Sequence, residues 1–335
     1  MMNILTKIIK RSLFISIFTS LFFILNGCQL ASHEKKTEKK IGIIVPLENK
    51  SLDDIVAGFT ETLTHQSPVP IKFKIANAQG DINIQRAIIQ QMKSEHYDII
   101  VPIGSIATQM AIAMSPHQPI VSLAASYRES DRKQQQPCNI SVVHDEISPR
   151  QIIAFIHQVY PALTQLTLIH SPSDKIFPDV KVAIAAGKQL GINIKAIMVP
   201  SLNELYSVAN ALPQNTQGIL ILKDIMIASG ISTLETVAQK KHLPLITSDQ
   251  GTVQEGAAFA LGVHERDIGM EGAKLAAAIL AGKKACDLPI VEMTRLTVFI
   301  NQTGLKNENQ SITPIEAAAN HLQYAIEIIG AKGAK

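Results

Sequence analysis

From residue 41 onward the chain alternates short, continuous apolar runs with longer amphipathic stretches, and that rhythm leaves few folds open. The runs fall at 41–46, 71–76, 98–103, 119–123, 166–170, 194–199, 218–222, 243–247 and 259–263. Most of them are apolar throughout, not alternately, and strands of that kind belong to parallel sheets covered on both faces. The stretches between them, 52–63, 81–94, 148–159, 178–190, 201–212 and 227–241, carry helical periodicity. In the first, Leu52, Ile55, Val56, Phe59 and Leu63 share one stripe, as a helix with a single buried face requires. Strand–helix alternation of this kind predicts an α/β chain with doubly wound parallel sheets. The polar stretch 128–137 reads as a surface loop. After 263 the pattern predicts a helix over 268–281 and a strand near 296–300. A last helix, about 314–329, would bury Ile315, Ala318, Leu322, Ile326 and Ile329.

A different segment precedes this pattern. Lys7, Lys10 and Arg11 lead into an apolar run, 12–25, that is shorter than the about 20 residues a spanning helix needs. It ends in Leu25-Asn26-Gly27-Cys28, the form of a bacterial lipobox. Residues 1–27 are therefore expected to be a signal peptide, with Cys28 carrying a diacylglycerol anchor of the palmitate type. Residues 28–40, with Glu34 and Glu38 among lysines, read as a solvated tether. Three of the 31 basic residues and none of the 28 acidic ones lie in the leader, so the remainder is formally neutral. A neutral surface argues against nucleic acid as a partner, since phosphate binding needs clustered cations. Beyond Cys28, only Cys138 and Cys286 remain; they permit one disulfide or two free thiols, and their spacing suggests no metal site.

In open parallel sheets ligands bind beyond the carboxyl ends of the strands. Glu48 follows the first run, Asn77 and Gln79 the second, Ser105 the third and Ser126 the fourth; Asp224 and Asp249 follow runs in the second half. Ser105, placed as a helix cap behind Gly104, would help a helix N-terminus hold an anion. Glu48, Asp224 and Asp249 would face it as acceptors for a cation. One anion site opposite several acids suits a zwitterion such as an amino acid. Leu47, Tyr127, Phe177, Met226 and Ile227 would supply apolar walls, whereas the absence of Trp and 4% aromatic content disfavour a sugar site. The Ser105 segment is not Gly-x-Ser-x-Gly, and no phosphate-loop or dinucleotide fingerprint occurs. His264, Glu265 and Asp267 read as a solvated loop, not a metal cluster. The sequence thus predicts neither an enzyme nor a cofactor.

Several segments carry a resemblance. Leu47-Glu48-Asn49-Lys50-Ser51-Leu52-Asp53, Asn77-Ala78-Gln79-Gly80-Asp81, Leu243-Pro244-Leu245-Ile246-Thr247-Ser248-Asp249 and Gly256-Ala257 through Val263 are similar to the ABC transporter substrate-binding family that includes TrpX-type tryptophan-binding proteins. The resemblance implies a type I periplasmic-binding-protein fold: two parallel-sheet lobes, three crossovers and a ligand cleft between them. It places the cleft contacts at Glu48, Asn77, Gln79, Ser105, Ser126, Asp224 and Asp249. It implies an amino-terminal lobe of 41–143 plus about 264–298, a carboxyl-terminal lobe of 144–263 plus about 299–312, and an extra helix over 313–335. It also implies permease and ATPase partners and a lipid-anchored location in the cell envelope, facing the periplasm or exterior. The alternative on the same fold is an envelope receptor that senses its ligand without transport.

Cys28→Ala is expected to release the protein from membranes or leave an unprocessed precursor. Membrane fractionation with gel mobility measures this; a mutant that fractionates and migrates like wild type refutes the lipobox.

Overall fold

The structure, a computed structural model, describes residues 38–330 apart from 128 and 135–137. The leader, Cys28 and most of the tether lie outside the described residues. The amino-terminal half runs β1 (Lys39–Val45), α1 (Lys50–Gln66), β2 (Ile71–Asn77), α2 (Ile82–Ser94), β3 (Ile99–Pro102), α3 (Ser105–Met114), β4 (Ile120–Leu123), α4 (Glu129–Gln134) and β5 (Ile140–His144). There follow α5 (Pro149–Val159), β6 (Gln165–His170), α6 (Phe177–Gln189), β7 (Asn193–Met198), α7 (Leu205–Asn210), β8 (Ile219–Leu220), α8 (Ile225–Ala228), α9 (Ile231–Lys241) and β9 (Leu245–Thr247). The chain ends with α10 (Gln250–Gln254), β10 (Phe259–Gly262), α11 (Glu265–Leu280), β11 (Val291–Glu292), β12 (Thr297–Asn301), α12 (Gln302–Asn307), α13 (Thr313–His321) and β13 (Ala325–Ile329). Among the described residues no helix is long and apolar enough to cross a membrane.

The strands form two sheets, one per lobe. The first has the order β11-β5-β4-β3-β1-β2 with every pair parallel. The second has the order β13-β12-β10-β9-β8-β6-β7, with only β10 and β12 antiparallel. Their inner strands are buried on both faces, as in β3, β4 and β10. Two parallel-sheet α/β lobes are thus the architecture that the continuous apolar runs predict. The chain changes sheet three times: through 145–148 after β5, through 263–264 after β10, and through 293–296 after β11.

α11 returns from the second crossover to cover the first sheet, and it lies unusually close to α1. A side chain on Gly269 would put its Cβ 2.6 Å from the Phe59 amide nitrogen, and one on Gly58 would meet the Arg266 carbonyl carbon at 3.0 Å. Glycine here lets two helix backbones touch, and Phe59, Ile55 and Ile268 close the core around that contact.

The structure departs from these expectations at five places. Residues 129–134 form α4 instead of a loop, and β5 lies just beyond Cys138, where the apolar runs predict no strand. The stretch 227–241 is two helices, α8 and α9, parted at Ser229 and Gly230; a Cβ on Gly230 would come within 3.1 Å of Leu202. The stretch 201–212 opens as a 3-10 turn over Leu202–Glu204 and becomes α-helical only in α7. The last helix stops at His321; Gln323 takes a left-handed φ of 58°, and 325–329 pairs with β12 as β13. The apolar residues at 325–329 suit either period, and long-range pairing decides between them.

Cys138, just before β5, is bonded to Cys286, in the 3-10 turn after α11; the Cα atoms are 5.9 Å apart. The same joint carries Ser141 Oγ donating to the Ala285 carbonyl at 2.7 Å and Arg132 Nη1 donating to the Leu288 carbonyl at 3.0 Å. The bridge closes a loop of 148 residues. Chain entropy makes such a loop worth up to about 5 kcal/mol. Urea titration of Cys286→Ser against wild type is expected to show a loss approaching that size; an unchanged midpoint contradicts it.

Candidate functional site

The carboxyl ends of the strands in the two lobes carry the polar residues, and the exit loops are tied to each other within each lobe. After β1 and β2, the Ala78 amide donates to the Val45 carbonyl and the Gly80 amide to the Pro46 carbonyl, each at 2.8 Å. Asn77 Oδ1 accepts the Gln79 amide at 2.7 Å, holding Gln79 at a φ of 54°. Glu48 is exposed at the same edge. After β3, Gly104 and not Ser105 takes the N-cap position of α3, with a φ of 85° that favours glycine. Ser105 is the first helical residue, and its hydroxyl accepts the Ser126 amide at 2.9 Å, joining the β3 and β4 exits. No side chain caps α3, and the first amides of a helix have no partner within it.

In the carboxyl-terminal lobe both acids are helix caps. Asp224 accepts the Ile227 amide at 3.3 Å and the Ser171 amide at 2.7 Å, which joins the β8 and β6 exits. Asp249 accepts the Thr252 amide at 2.8 Å and, from the other lobe, the Ser51 hydroxyl at 2.5 Å. Two further contacts cross between lobes. Asn49, which caps α1 through the Leu52 amide, approaches Ser229 Oγ at 3.5 Å. Ile225 reaches over to Gly104, where an added Cβ would lie 3.1 Å from Ile225 Cδ1. Of the expected apolar walls, Ile227 and Tyr127 are buried in hydrophobic cores, while Ile225 packs beside Gly104 of the other lobe. Phe177 remains partly exposed and stacks edge-on against His170.

Sequence reasoning missed a charged cluster where the crossovers meet. Lys223 Nζ lies 2.6 Å from Asp145, in the first crossover, and 3.9 Å from Glu265, which opens α11 after the second. Burial opposes the lysine's charge, but Asp145 and Glu265 outweigh it and hold its pKa above the ordinary value. Burial pushes Glu265 up to about 8 despite Lys223, with Asp249 adding to the rise. Glu265 also accepts the Gln250 amide. The sequence signal was Lys223 itself, a cation at the end of an apolar strand beside an acid. Among the described residues no acid, histidine or cysteine cluster fits a metal ion.

The third crossover has its own staple. His144 places Nε2 3.0 Å from Glu146 and Nδ1 3.0 Å from Glu292 of β11. The bond to Glu146 and then Glu292 raise its pKa to about 9, against burial, which lowers it. A histidine raised from 6.5 to about 9 contributes stability that is complete below pH 6.5 and lost as pH rises through 9. With both partners partly in solvent, that contribution is about 2 kcal/mol. Denaturation of wild type and His144→Gln across pH 6–10 is expected to show the difference vanishing at the alkaline end; a pH-independent difference contradicts the staple.

Comparison with known proteins gives concordant findings. The family model described as ABC transporter substrate binding protein matches residues 40–323. An uncharacterized protein of Rickettsia prowazekii (strain Madrid E) is 36% identical over 284 residues, covering 83% of this chain and 90% of that protein. A tyrosine-binding protein of Clostridioides difficile (strain R20291) is 25% identical over 324 residues, 92% of each. Among solved structures, an ABC domain in complex with L-Trp from Streptococcus pneumonia has a TM-score of 0.79 at 22% identity, covering 88% of this chain and all of that one (100%). A conserved domain protein from Vibrio cholerae has a TM-score of 0.78 at 22% identity, covering 88% and 99%.

Proposed function

The chain belongs to the ABC transporter substrate binding protein family, and from that membership we propose that its cleft captures a small zwitterion, an amino acid with an apolar or aromatic side chain. The family consists of solute-binding proteins, not enzymes. The observation that carries the proposal is the opposition of charge across the cleft. On one side stands α3, uncapped by any side chain, whose amides and dipole suit a carboxylate. On the other stand Asp224 and Asp249, both nearly buried and both oriented by backbone amides, which suit an ammonium. Glu48, Asn77, Gln79, Ser105 and Ser126 would complete the polar rim, with Ile225, Phe177 and Met226 beside an apolar side chain. The L-Trp complex and the tyrosine-binding relative support a ligand of this class. In this reading Cys28 anchors the protein outside the cytoplasm, the Cys138–Cys286 bridge suits an oxidising compartment, and a permease with its ATPase receives the ligand.

A panel of L-amino acids, a neutral sugar and a dicarboxylate, tested by calorimetry and thermal shift, decides the class. An apolar or aromatic amino acid at 100-fold its dissociation constant is expected to add about 2.7 kcal/mol of stability. Because the chain has no Trp, L-tryptophan fluorescence reports its own binding. Binding of the sugar or the dicarboxylate alone overturns the zwitterion.

A further inference from the structure

We propose that Gly251, Ser51 and Asp249 form a closure latch, in which the missing side chain at 251 is what allows the two lobes to meet. The latch concerns the opening and closing that the capture role above requires. Ser51 lies in the first turn of α1 on the amino-terminal lobe, while Asp249 caps α10 and Gly251 lies in its first turn on the other lobe. The Ser51 hydroxyl donates to the same Asp249 oxygen that accepts the Thr252 amide. One lobe thus completes a cap begun on the other.

Gly251 sits directly against this bond. A Cβ there would lie 2.5 Å from the Ser51 amide nitrogen and 2.9 Å from Ser51 Cα, closer than real contacts allow. Both are backbone atoms, so no change of rotamer relieves the clash. A methyl group at 251 fits only if the start of α1 and the start of α10, and with them the lobes, move apart.

The three atoms nearest to a Cβ at 251 all belong to Ser51 of the opposite lobe. Gly251 is helical and does not use the left-handed backbone region where glycine is favoured. In such a conformation alanine is the better residue, by up to about 1 kcal/mol. Gly58 and Gly269 differ: their close neighbours belong to α1 and α11 of one lobe, so they serve folding. Gly251 alone among these presses on the opposite lobe. Asn49 with Ser229 and Gly104 with Ile225 lie on the same interface, so the latch joins a broader docking of the α1 entrance and the β3 exit onto the second lobe.

The test separates closure from folding. In the full oxidised chain, Asn49→Cys with Ser229→Cys places thiols at two positions that face each other across the interface, where Asn49 Nδ2 and Ser229 Oγ are 3.5 Å apart. Their trapping rate with a short bifunctional methanethiosulfonate reports how often the lobes meet, whether or not an amino acid binds. Adding Gly251→Ala is expected to slow trapping about tenfold and to weaken L-tryptophan or L-tyrosine binding by faster dissociation. The thermal midpoint without ligand is expected to stay level or rise. Ser51→Ala, which removes the bond but not the room, is expected to slow trapping less than Gly251→Ala. Unchanged trapping in Gly251→Ala overturns the latch. So does a fall in midpoint of more than about 4 °C, which would place residue 251 in the packing of its own lobe. If wild type binds neither amino acid, the ligand proposal fails while the trapping comparison still decides the latch.

Discussion

A single ammonium group holds the parts of this molecule that meet between the sheets. Lys223 leaves the end of β8 in one lobe, bonds Asp145 in the first crossover and faces Glu265 at the start of the helix that follows the second. Taking ions out of water costs several kcal/mol each, so such a group persists only where its partners are fixed. Asp145 and Glu265 are both nearly inaccessible, and Lys223 is the cation that faces them both. The pairing therefore constrains the backbone on both sides of two crossovers. Glu265 in turn accepts the Gln250 amide, next to Asp249, so the constraint runs without a break from the hinge to the cleft edge.

The glycines translate that constraint into distance. Gly58 and Gly269 bring α11 onto the backbone of α1, and Gly251 brings α10 onto the first turn of the same helix. α1 thus stands between a contact inside its own lobe and a contact with the other. Its capping residue, Asn49, follows the same division: Oδ1 accepts the Leu52 amide while Nδ2 points at Ser229 across the interface. β13 adds an attachment on the far side of the hinge. Glu327 accepts Gln250 Nε2 at 2.9 Å and lies 3.7 Å from His264, although β13 falls beyond the residues matched by the family model.

The sheets were legible in the sequence because a strand buried on both faces must be apolar at nearly every position, and such runs recur here between amphipathic stretches. Runs such as 41–46 and 259–263 meet that condition and become β1 and β10. β11 spans only two residues, Val291 and Glu292, too few for any period to register. β5 sits behind a disulfide and a polar stretch that obscured its start. The final strand carries residues that also fit a helical stripe, and only its pairing with β12, distant in local pattern, separates the two. At the cleft, strand-end acids were visible as residues but not as bonds. Asp224 and Asp249 each read as a cap more readily than as a ligand group, and which they are depends on the direction the chain takes after the strand. The roles of Ser51, Lys223 and Gly251 were hidden for a related reason: their partners lie in the other lobe or across a crossover.

That Asp224 and Asp249 are caps does not remove them from the proposed ligand chemistry. A carboxylate offers about four lone-pair positions, and each of these accepts two hydrogen bonds from its own protein. The bonds already made fix the remaining positions, so an ammonium would meet acceptors that need no reorganisation. For Asp249 one of the two donors is Ser51, which belongs to the opposite lobe. On the proposed reading, the same carboxylate then serves the ligand and the closure. A donor from the opposite lobe withdraws charge from Asp249 and weakens it slightly as an ammonium acceptor, yet it fixes the side chain in the orientation that the ligand needs. Orientation outweighs the lost charge wherever the unbound side chain would otherwise be free to turn, because ordering a rotamer costs about as much as one such hydrogen bond contributes. Closure and capture would then reinforce each other through one oxygen-bearing group, with no separate relay between them.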